Sequence, residues 1–349
     1  MRAVIFAGDG RVRVDEVPPP TPEDEGDAVV SVSLASICAS DLHLLDGKTP
    51  GMSVGSVIGH EFVGTVVESS GSAPSVGERV LGSFLIACGD CSACRREDFN
   101  FCKNRRALGL GALTGDLDGA QAEYVRVPNA SLNLHLLNDP LAELGDEQLI
   151  FAGDVLATGF YAADIAALDE RKIVVIIGAG PVGLCCAMAA SLKRPKRLLV
   201  LDADPRRVEF AARFPQVEAV NVSEMDSQAA VAGATNGEMA DVAIEAVGSI
   251  AAFKDSLKCV RDGGRIAVIG VYGAERYSFP MGMAWVRGLD VRFAGMANVQ
   301  KHWDEALKAI STGAIDPTMM ITHDLPLEAA EEGYELFASR RALKVVLRP

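Results

Sequence analysis

Positive charge is the first thing this sequence is short of. Lys and Arg total 33 against 47 Asp and Glu, a formal net charge of −14 over 349 residues. No Lys/Arg cluster is dense enough to override that balance, and so acidic a chain repels phosphate backbones, which argues against nucleic-acid binding. The opening MRAVIFAGDGRV lacks a basic-then-apolar-then-small order, so no signal peptide is expected. Internal repeats and low-complexity tracts are missing too, which sets aside repeat architectures. A membrane span is also unexpected. The twenty-residue uncharged stretch Ile173–Leu192 is long enough for one, but Gly178, Gly180, Pro181 and Gly183 interrupt it, with β-branched residues before and Ala, Met, Leu and Cys after. It reads as a buried strand, a tight turn and a buried helix.

What is present describes an ordinary globular protein, 49% apolar and 23% charged. Its length exceeds that at which one core usually keeps growing, so two domains are expected. From residue 1 to about 155 short alternating runs (AVIFA, AVVSVSL, FVGTVVE, AEYVRVP) are punctuated by Gly, Pro and Asp turns, the pattern of a mostly antiparallel, barrel-like β domain. VPPPTPEDEG reads as a solvated loop. From about 156 to 292 strands alternate with helices: IVVII, LLVLD, AVNV, DVAIEAV, RIAVIG and DVRFAG, with ADPRRVEFAARF and SIAAFKDSLKCV between them. That is an α/β chain building a doubly wound parallel sheet. The segment 293–349 returns to helix, loop, helix and a last strand, LKVVL, and is expected to complete the first domain.

Eight cysteines without a secretory signal imply a reducing, cytoplasmic setting. Four of them, Cys88, Cys91, Cys94 and Cys102, lie within fifteen residues as C-x2-C-x2-C-x7-C. Two such pairs can surround one Zn²⁺ tetrahedrally, leaving no open position, so this is a structural brace. A disulfide pair is the alternative, but the x2 spacings are too close for one to be comfortable. Cys185, Cys186 and Cys259 fall on apolar helices and are expected to pack as small hydrophobes. Cys38 in CASDLH and His60 in GHEFVG are candidate ligands of a second metal, though either alone also reads as core filler or a loop residue. Asp154 in GDVLATGF is a third candidate, and spacing does not by itself bring the three together. Cys, His and carboxylate leave a fourth position free, the arrangement of a catalytic zinc that acts as a Lewis acid on an alcohol or carbonyl.

GAGPVG, residues 178–183, matches the dinucleotide fingerprint in its required context between strand and helix. Gly178 permits the turn, Gly180 lets backbone approach the pyrophosphate, and Gly183 allows close helix–sheet packing; Pro181 and Val182 open the helix. Asp202 follows twenty-two residues after Gly180 at the end of the second strand. A carboxylate there accepts from ribose hydroxyls and repels a 2′-phosphate, which favours NAD; Arg206 and Arg207, either able to reach a phosphate or to line a solvated helix turn, argue the other way.

CASDLH, GHEFVGTVVESSG, VGERV, the cysteine tetrad, AEYVRVP, GAGPVG and LKVVLRP, in that order, resemble a zinc-containing medium-chain alcohol dehydrogenase nearly from end to end. The resemblance implies a GroES-like β-barrel catalytic domain and a Rossmann-type coenzyme domain. It implies NAD, two Zn²⁺ per chain, a small alcohol, aldehyde or ketone as substrate, and a homo-oligomer, with tetramer favoured over dimer. Carried over by position, Cys38, His60 and Asp154 hold the catalytic zinc, and Glu61 is a neighbouring carboxylate able to approach the metal. Ser40 hydrogen-bonds the substrate hydroxyl and His43 continues the proton path. Thr158 lies near the nicotinamide, while Val247, Gly248 and Val271 offer backbone contacts to coenzyme. Two positions depart from the commoner pattern, Asp154 where many relatives have Cys or Glu and Ala39 where Gly is common; the first resembles bacterial secondary-alcohol and glutathione-independent formaldehyde dehydrogenases.

Blander roles stand beside these: a turn serine for Ser40, a surface histidine for His43, and a structural hydrogen-bonding partner for Asp41. Trp285 and Phe84 are candidates for either substrate pocket or core, and His135, His302 and His323 match no motif. A polyol or formaldehyde dehydrogenase of the same architecture is the nearest rival reading. From another class, a catalytically silent zinc scaffold or a zinc-ribbon nucleic-acid binder would use the tetrad for shape alone.

Overall fold

The structure is a computed structural model in which residues 1–47, 51–273 and 276–349 are described. Its contacts divide the chain into two compact units, Met1–Ala157 with Met296–Pro349, and Thr158–Gly295.

The first unit is organised by one long strand, Ala28–Ile37, whose alternating AVVSVSLASI text puts most of its residues in the core. Along one edge it pairs antiparallel with Glu61–Ser69. Its other edge is shared, with Tyr124–Val127 pairing to the first half and Lys344–Arg348 to the second. The chain's last strand thus completes the sheet begun by its early ones. The full sheet has seven strands, extended by Arg79–Gly82 and Leu134–Leu136 on one side and Ile321–Pro326 on the other. All pairings are antiparallel save Ile321–Pro326 with Lys344–Arg348. Register shifts at Val29/Val30 and Val32/Leu34 bend the central strand. Its inner face packs Val30, Val32, Ile37, Phe62, Val66 and Val345 into one core. The returning helix Val299–Ser311 buries Val299, His302, Trp303, Ala306, Leu307 and Ile310, the three-four spacing of an amphipathic helix. Cys88–Cys102 form a small lobe of 3₁₀ turns. Asn298 Nδ2 donating to Glu97 O at 2.7 Å and Asn100 Nδ2 to Met296 O at 3.1 Å moor that lobe to the returning segment.

The second unit is a six-stranded, wholly parallel sheet in the order Glu218–Asn221, Arg197–Asp202, Ile173–Ile177, Ala240–Glu245, Val260–Val268, Asp290–Phe293. Numbered along the sheet this is 3-2-1-4-5-6, the dinucleotide-binding order. The central strand IVVII is buried at every position, as a strand covered on both faces must be. The helix after it, Pro181–Leu192, buries Gly183 through Ala190 without interruption, which is why the stretch resembled a membrane span. Among the described residues no helix is long and apolar enough to cross a membrane. The strand expected at RIAVIG is longer than its apolar text: it begins at Val260, and its first half, VRDGG, carries charge and glycine.

Candidate metal centres and dinucleotide turn

In the cysteine lobe all four sulfurs lie within 4.8 Å of one another. Cys91 Sγ is 3.5 Å from Cys94 Sγ, and Cys102 Sγ is 3.5 Å from Cys88 Sγ. A disulfide needs about 2.05 Å, whereas the edge of a tetrahedron of sulfurs about 2.3 Å from Zn²⁺ is roughly 3.8 Å. The tetrad therefore fits a closed zinc site, and none of the eight cysteines is in a disulfide. Backbone amides at Cys94 and Lys103 pull the Cys91 thiol down to about 6, so it offers a thiolate readily.

The second cluster follows from strand pairing. Ala28–Ile37 and Glu61–Ser69 are antiparallel neighbours with Ser36 opposite Glu61. Cys38, just after the first strand, and His60, just before the second, therefore emerge side by side. Asp154 arrives on the 3₁₀ turn Ile150–Gly153. That turn sits so close to the Arg79–Gly82 strand that a Cβ on Gly153 would meet Gly82 O at 2.4 Å. The sequence separation of 116 residues between Cys38 and Asp154 closes to 3.5 Å between Sγ and Oδ2, and His60 Nε2 is 3.4 Å from the same oxygen. All three are buried, and their ligand atoms form a group able to hold a metal.

Asp41, in the first turn of the short helix Ala39–Leu45, supports both ligands. Its Oδ1 lies 3.1 Å from His60 Nδ1, and its Oδ2 accepts from Cys38 N at 2.9 Å and Gln121 Nε2 at 3.3 Å. Tyr334 donates to Gln121 Oε1 at 2.8 Å, extending the chain of support. Phe84 meets the His60 ring edge-on at 6.0 Å, packing against the site from within the core. Ser40 Oγ stands 3.3 Å from both Cys38 Sγ and His60 Nε2, and His43, three residues on, shares its helix face.

Electrostatics give the cluster its sense. Burial pushes the Cys38 thiol up, and the Glu61 and Asp154 carboxylates add to it. Burial pulls His60 down, but Asp41, then Asp154, carry it well above its usual value. A buried pocket of one thiol and several carboxylates is costly alone; a divalent cation at the Cys38–His60–Asp154 focus reverses that cost and favours the ionised ligands. Glu61 is not loose beside this focus: it forms a buried ion pair with Lys344 and accepts from the Ser36 hydroxyl.

In the second unit the turn after Ile173–Ile177 runs through Gly178, with φ of 105°, to Gly180, which caps Pro181–Leu192. A Cβ on Gly183 would fall 1.9 Å from Gly178 O, whereas one on Gly180 would meet nothing nearer than Arg207 Nη1 at 3.6 Å. The helix N-terminus therefore opens onto free space suited to a phosphate. Asp202 accepts from Ala179 N and Asp204 N, both at 2.8 Å, placing its carboxylate beside the turn. Arg206 is taken up by Asp204 at 3.0 Å, while Arg207 lies 4.0 Å from Asp202. Val247 and Val271 are half-exposed on the turns after the fourth and fifth strands of the unit in chain order, with Gly248 between them in space. Thr158, 8% exposed, belongs to the helix Val155–Ile165.

Residues 24–138 match the family model described as the alcohol dehydrogenase GroES-like domain, and residues 181–312 that of the zinc-binding dehydrogenases. Over 380 residues, covering 100% of both chains, the sequence is 34% identical to the uncharacterized zinc-type alcohol dehydrogenase-like protein AdhB of Bacillus subtilis. Among solved structures, the alcohol dehydrogenase TADH from Thermus sp. ATN1 is similar with a TM-score of 0.96 at 40% identity, 100% of each chain being covered. A zinc-binding dehydrogenase from Sinorhizobium meliloti 1021, bound to NADP, gives 0.85 at 28% identity over 100% of this chain and 99% of that one. Carrying two clusters of metal-ligating side chains and a dinucleotide turn, the chain belongs to the zinc-containing medium-chain alcohol dehydrogenase family, a family of oxidoreductases.

Sequence reasoning missed three contributors. Lys344 was legible only as a lysine inside an apolar terminal strand, its partner Glu61 being 283 residues away. Gln121 and Tyr334, which brace Asp41, carry no motif. Trp285 is 80% exposed on the Met281–Val286 helix, so core packing is not its role.

Proposed function

We propose that this chain is a zinc- and NAD-dependent dehydrogenase that interconverts a primary or secondary alcohol with its aldehyde or ketone. The observation that carries the reading is the three-ligand cluster of Cys38, His60 and Asp154, which unlike the cysteine tetrad leaves one position for substrate. Zinc held there supplies Lewis acidity, lowering the pKa of an alcohol or polarising a carbonyl. The chain's own residues do the rest. Asp41 fixes the His60 ring through Nδ1, Ser40 takes the hydroxyl proton, and His43 passes it on. Gly178, Gly180, Pro181, Val182 and Gly183 seat the pyrophosphate. Asp202 accepts from the ribose hydroxyls and opposes a 2′-phosphate, and Thr158, Val247, Gly248 and Val271 offer the nicotinamide half its contacts. Catalysis is assigned to 1–155 with 293–349, and coenzyme binding to 156–292.

A second zinc in the tetrad is part of the same reading, supported by the sulfur geometry. Homo-oligomerisation, as a tetramer or dimer, is supported by the edge strand Asp290–Phe293 and its neighbouring helix, where Phe293, Trp285 and Val286 are 67, 80 and 76% exposed. A cytoplasmic location is supported by eight cysteines outside any disulfide. A panel of primary alcohols, secondary alcohols, polyols and formaldehyde, followed by NADH absorbance, tests the reading. Turnover of a simple alcohol that chelation abolishes is the expected result; turnover confined to formaldehyde or to polyols would replace it with the corresponding rival, and full activity without zinc would overturn it.

A further inference from the structure

Glu245 is a wholly buried carboxylate with no part in the chemistry above. It ends the strand Ala240–Glu245, at the carboxyl end of the parallel sheet where such folds bind ligands. Among the described residues it has no ion-pair partner. Its neighbours are turns. Oε1 accepts from Val247 N at 2.8 Å and Gly248 N at 2.9 Å, and Oε2 accepts from the Tyr272 hydroxyl at 3.1 Å. Its own carbonyl takes Ile269 N at 2.8 Å and Gly270 N at 3.0 Å. One residue thus ties the turn after its strand to the turn after the next.

These two turns touch backbone to backbone. Gly248 has φ of 76°, and a Cβ there would fall 2.3 Å from Val271 O; a Cβ on Gly270 would fall 2.1 Å from Gly248 N. The dinucleotide turn joins them, since a Cβ on Gly178 would meet Val247 Cγ2 at 2.7 Å. Side chains cannot set the spacing of turns packed this closely, so an acceptor beneath them must. Successive N–H groups around a left-handed glycine form a concavity that attracts anions, and Glu245 supplies the anion from within the chain. Oε1 accepts from both turn amides, while Oε2 and Ser249 O, at 3.1 and 3.0 Å, compete for the single proton of the Tyr272 hydroxyl. Burial pushes its carboxyl up, and the hydrogen bonds from Gly248, Val247 and Tyr272 oppose that.

We propose that Glu245 is a positioning residue for coenzyme binding, clamping the 246–249 and 269–272 turns so that their backbone is presented to the dinucleotide in one arrangement. This rests on the reading that the second unit binds NAD. An apolar residue would fill the same space but leave the N–H groups of Val247 and Gly248 without their shared acceptor.

NADH titrations of the zinc-loaded enzyme, read by fluorescence, test the assignment with Glu245→Gln and Glu245→Ala. Replacing the carboxyl acceptor by an amide predicts a Kd for NADH raised about 3- to 10-fold in the glutamine variant, and removing it about 30-fold or more in the alanine variant. The kcat at saturating NAD stays within about threefold and zinc content is unchanged, a split that a merely structural role would not produce. Should the alanine variant fail to fold, the near-isosteric glutamine variant decides alone. Wild-type NADH affinity in Glu245→Gln overturns the assignment, whereas a wild-type protein that binds no NADH overturns the coenzyme reading itself.

Discussion

Exchanging Asp41 for Asn probes the support of the proposed catalytic site without touching Cys38, His60 or Asp154 themselves. The carboxylate serves both sides: Oδ1 faces His60 Nδ1 at 3.1 Å, and Oδ2 accepts from Cys38 N and Gln121 Nε2. When His60 binds metal through Nε2, its Nδ1 carries a proton and needs an acceptor. An asparagine has one oxygen to offer. Turned toward Cys38 it sets an amide N–H₂ against the imidazole N–H, and turned toward His60 it sets that group against Cys38 N and Gln121 Nε2. Either way one hydrogen bond to a charged group is lost, worth about 1.5–3 kcal/mol. That corresponds to roughly a 10- to 100-fold fall in zinc affinity or activity. Competition with a graded series of chelators, followed by zinc content per chain and NADH production together, measures it. The cysteine tetrad is the internal control: Asp41 serves His60, Cys38 and Gln121, so the metal of the tetrad should be retained equally in both proteins. An Asp41→Asn protein that holds the catalytic zinc and turns over as the wild type does would refute the reasoning.

Two further outcomes follow from named contacts. Asp202→Asn keeps an acceptor for Ala179 N but removes the charge that opposes a 2′-phosphate, so the NAD/NADP ratio of kcat/KM should fall about tenfold (about 1.4 kcal/mol); an unchanged ratio assigns discrimination to another group, Arg207 first. Lys344→Met strips Glu61 of its buried partner and should cost about 3–5 kcal/mol in urea unfolding, with Glu61→Gln restoring much of it in the double variant; additive losses would show that the pair is not coupled.

How legible all this was depends on whether a feature is local. Ile173–Ile177 was read to the residue because five consecutive apolar positions are bounded by a glycine turn. The Cys88–Cys102 lobe and the GAGPVG turn were equally plain, since their chemistry is written within fifteen residues or fewer. Cys38 and His60 stand out in their motifs, but spacing does not bring them together; what joins them is the Ser36–Glu61 register of two strands. The VRDGG start of the fifth parallel strand was missed because it carries charge and glycine, and only its Val260 pairs, with Ala240, before the register shifts to Val242 opposite Arg265. Glu61–Lys344 and Glu245 were invisible for a related reason: a buried charge shows its purpose only when its partners, or the N–H groups it serves, are in place.

Anomalous diffraction from fully active crystals at the zinc edge tests the central claim most directly. Two peaks per chain are predicted, one amid the sulfurs of Cys88, Cys91, Cys94 and Cys102 and one bounded by Cys38 Sγ, His60 Nε2 and Asp154 Oδ2. A single peak in the cysteine lobe, with activity intact, would contradict it.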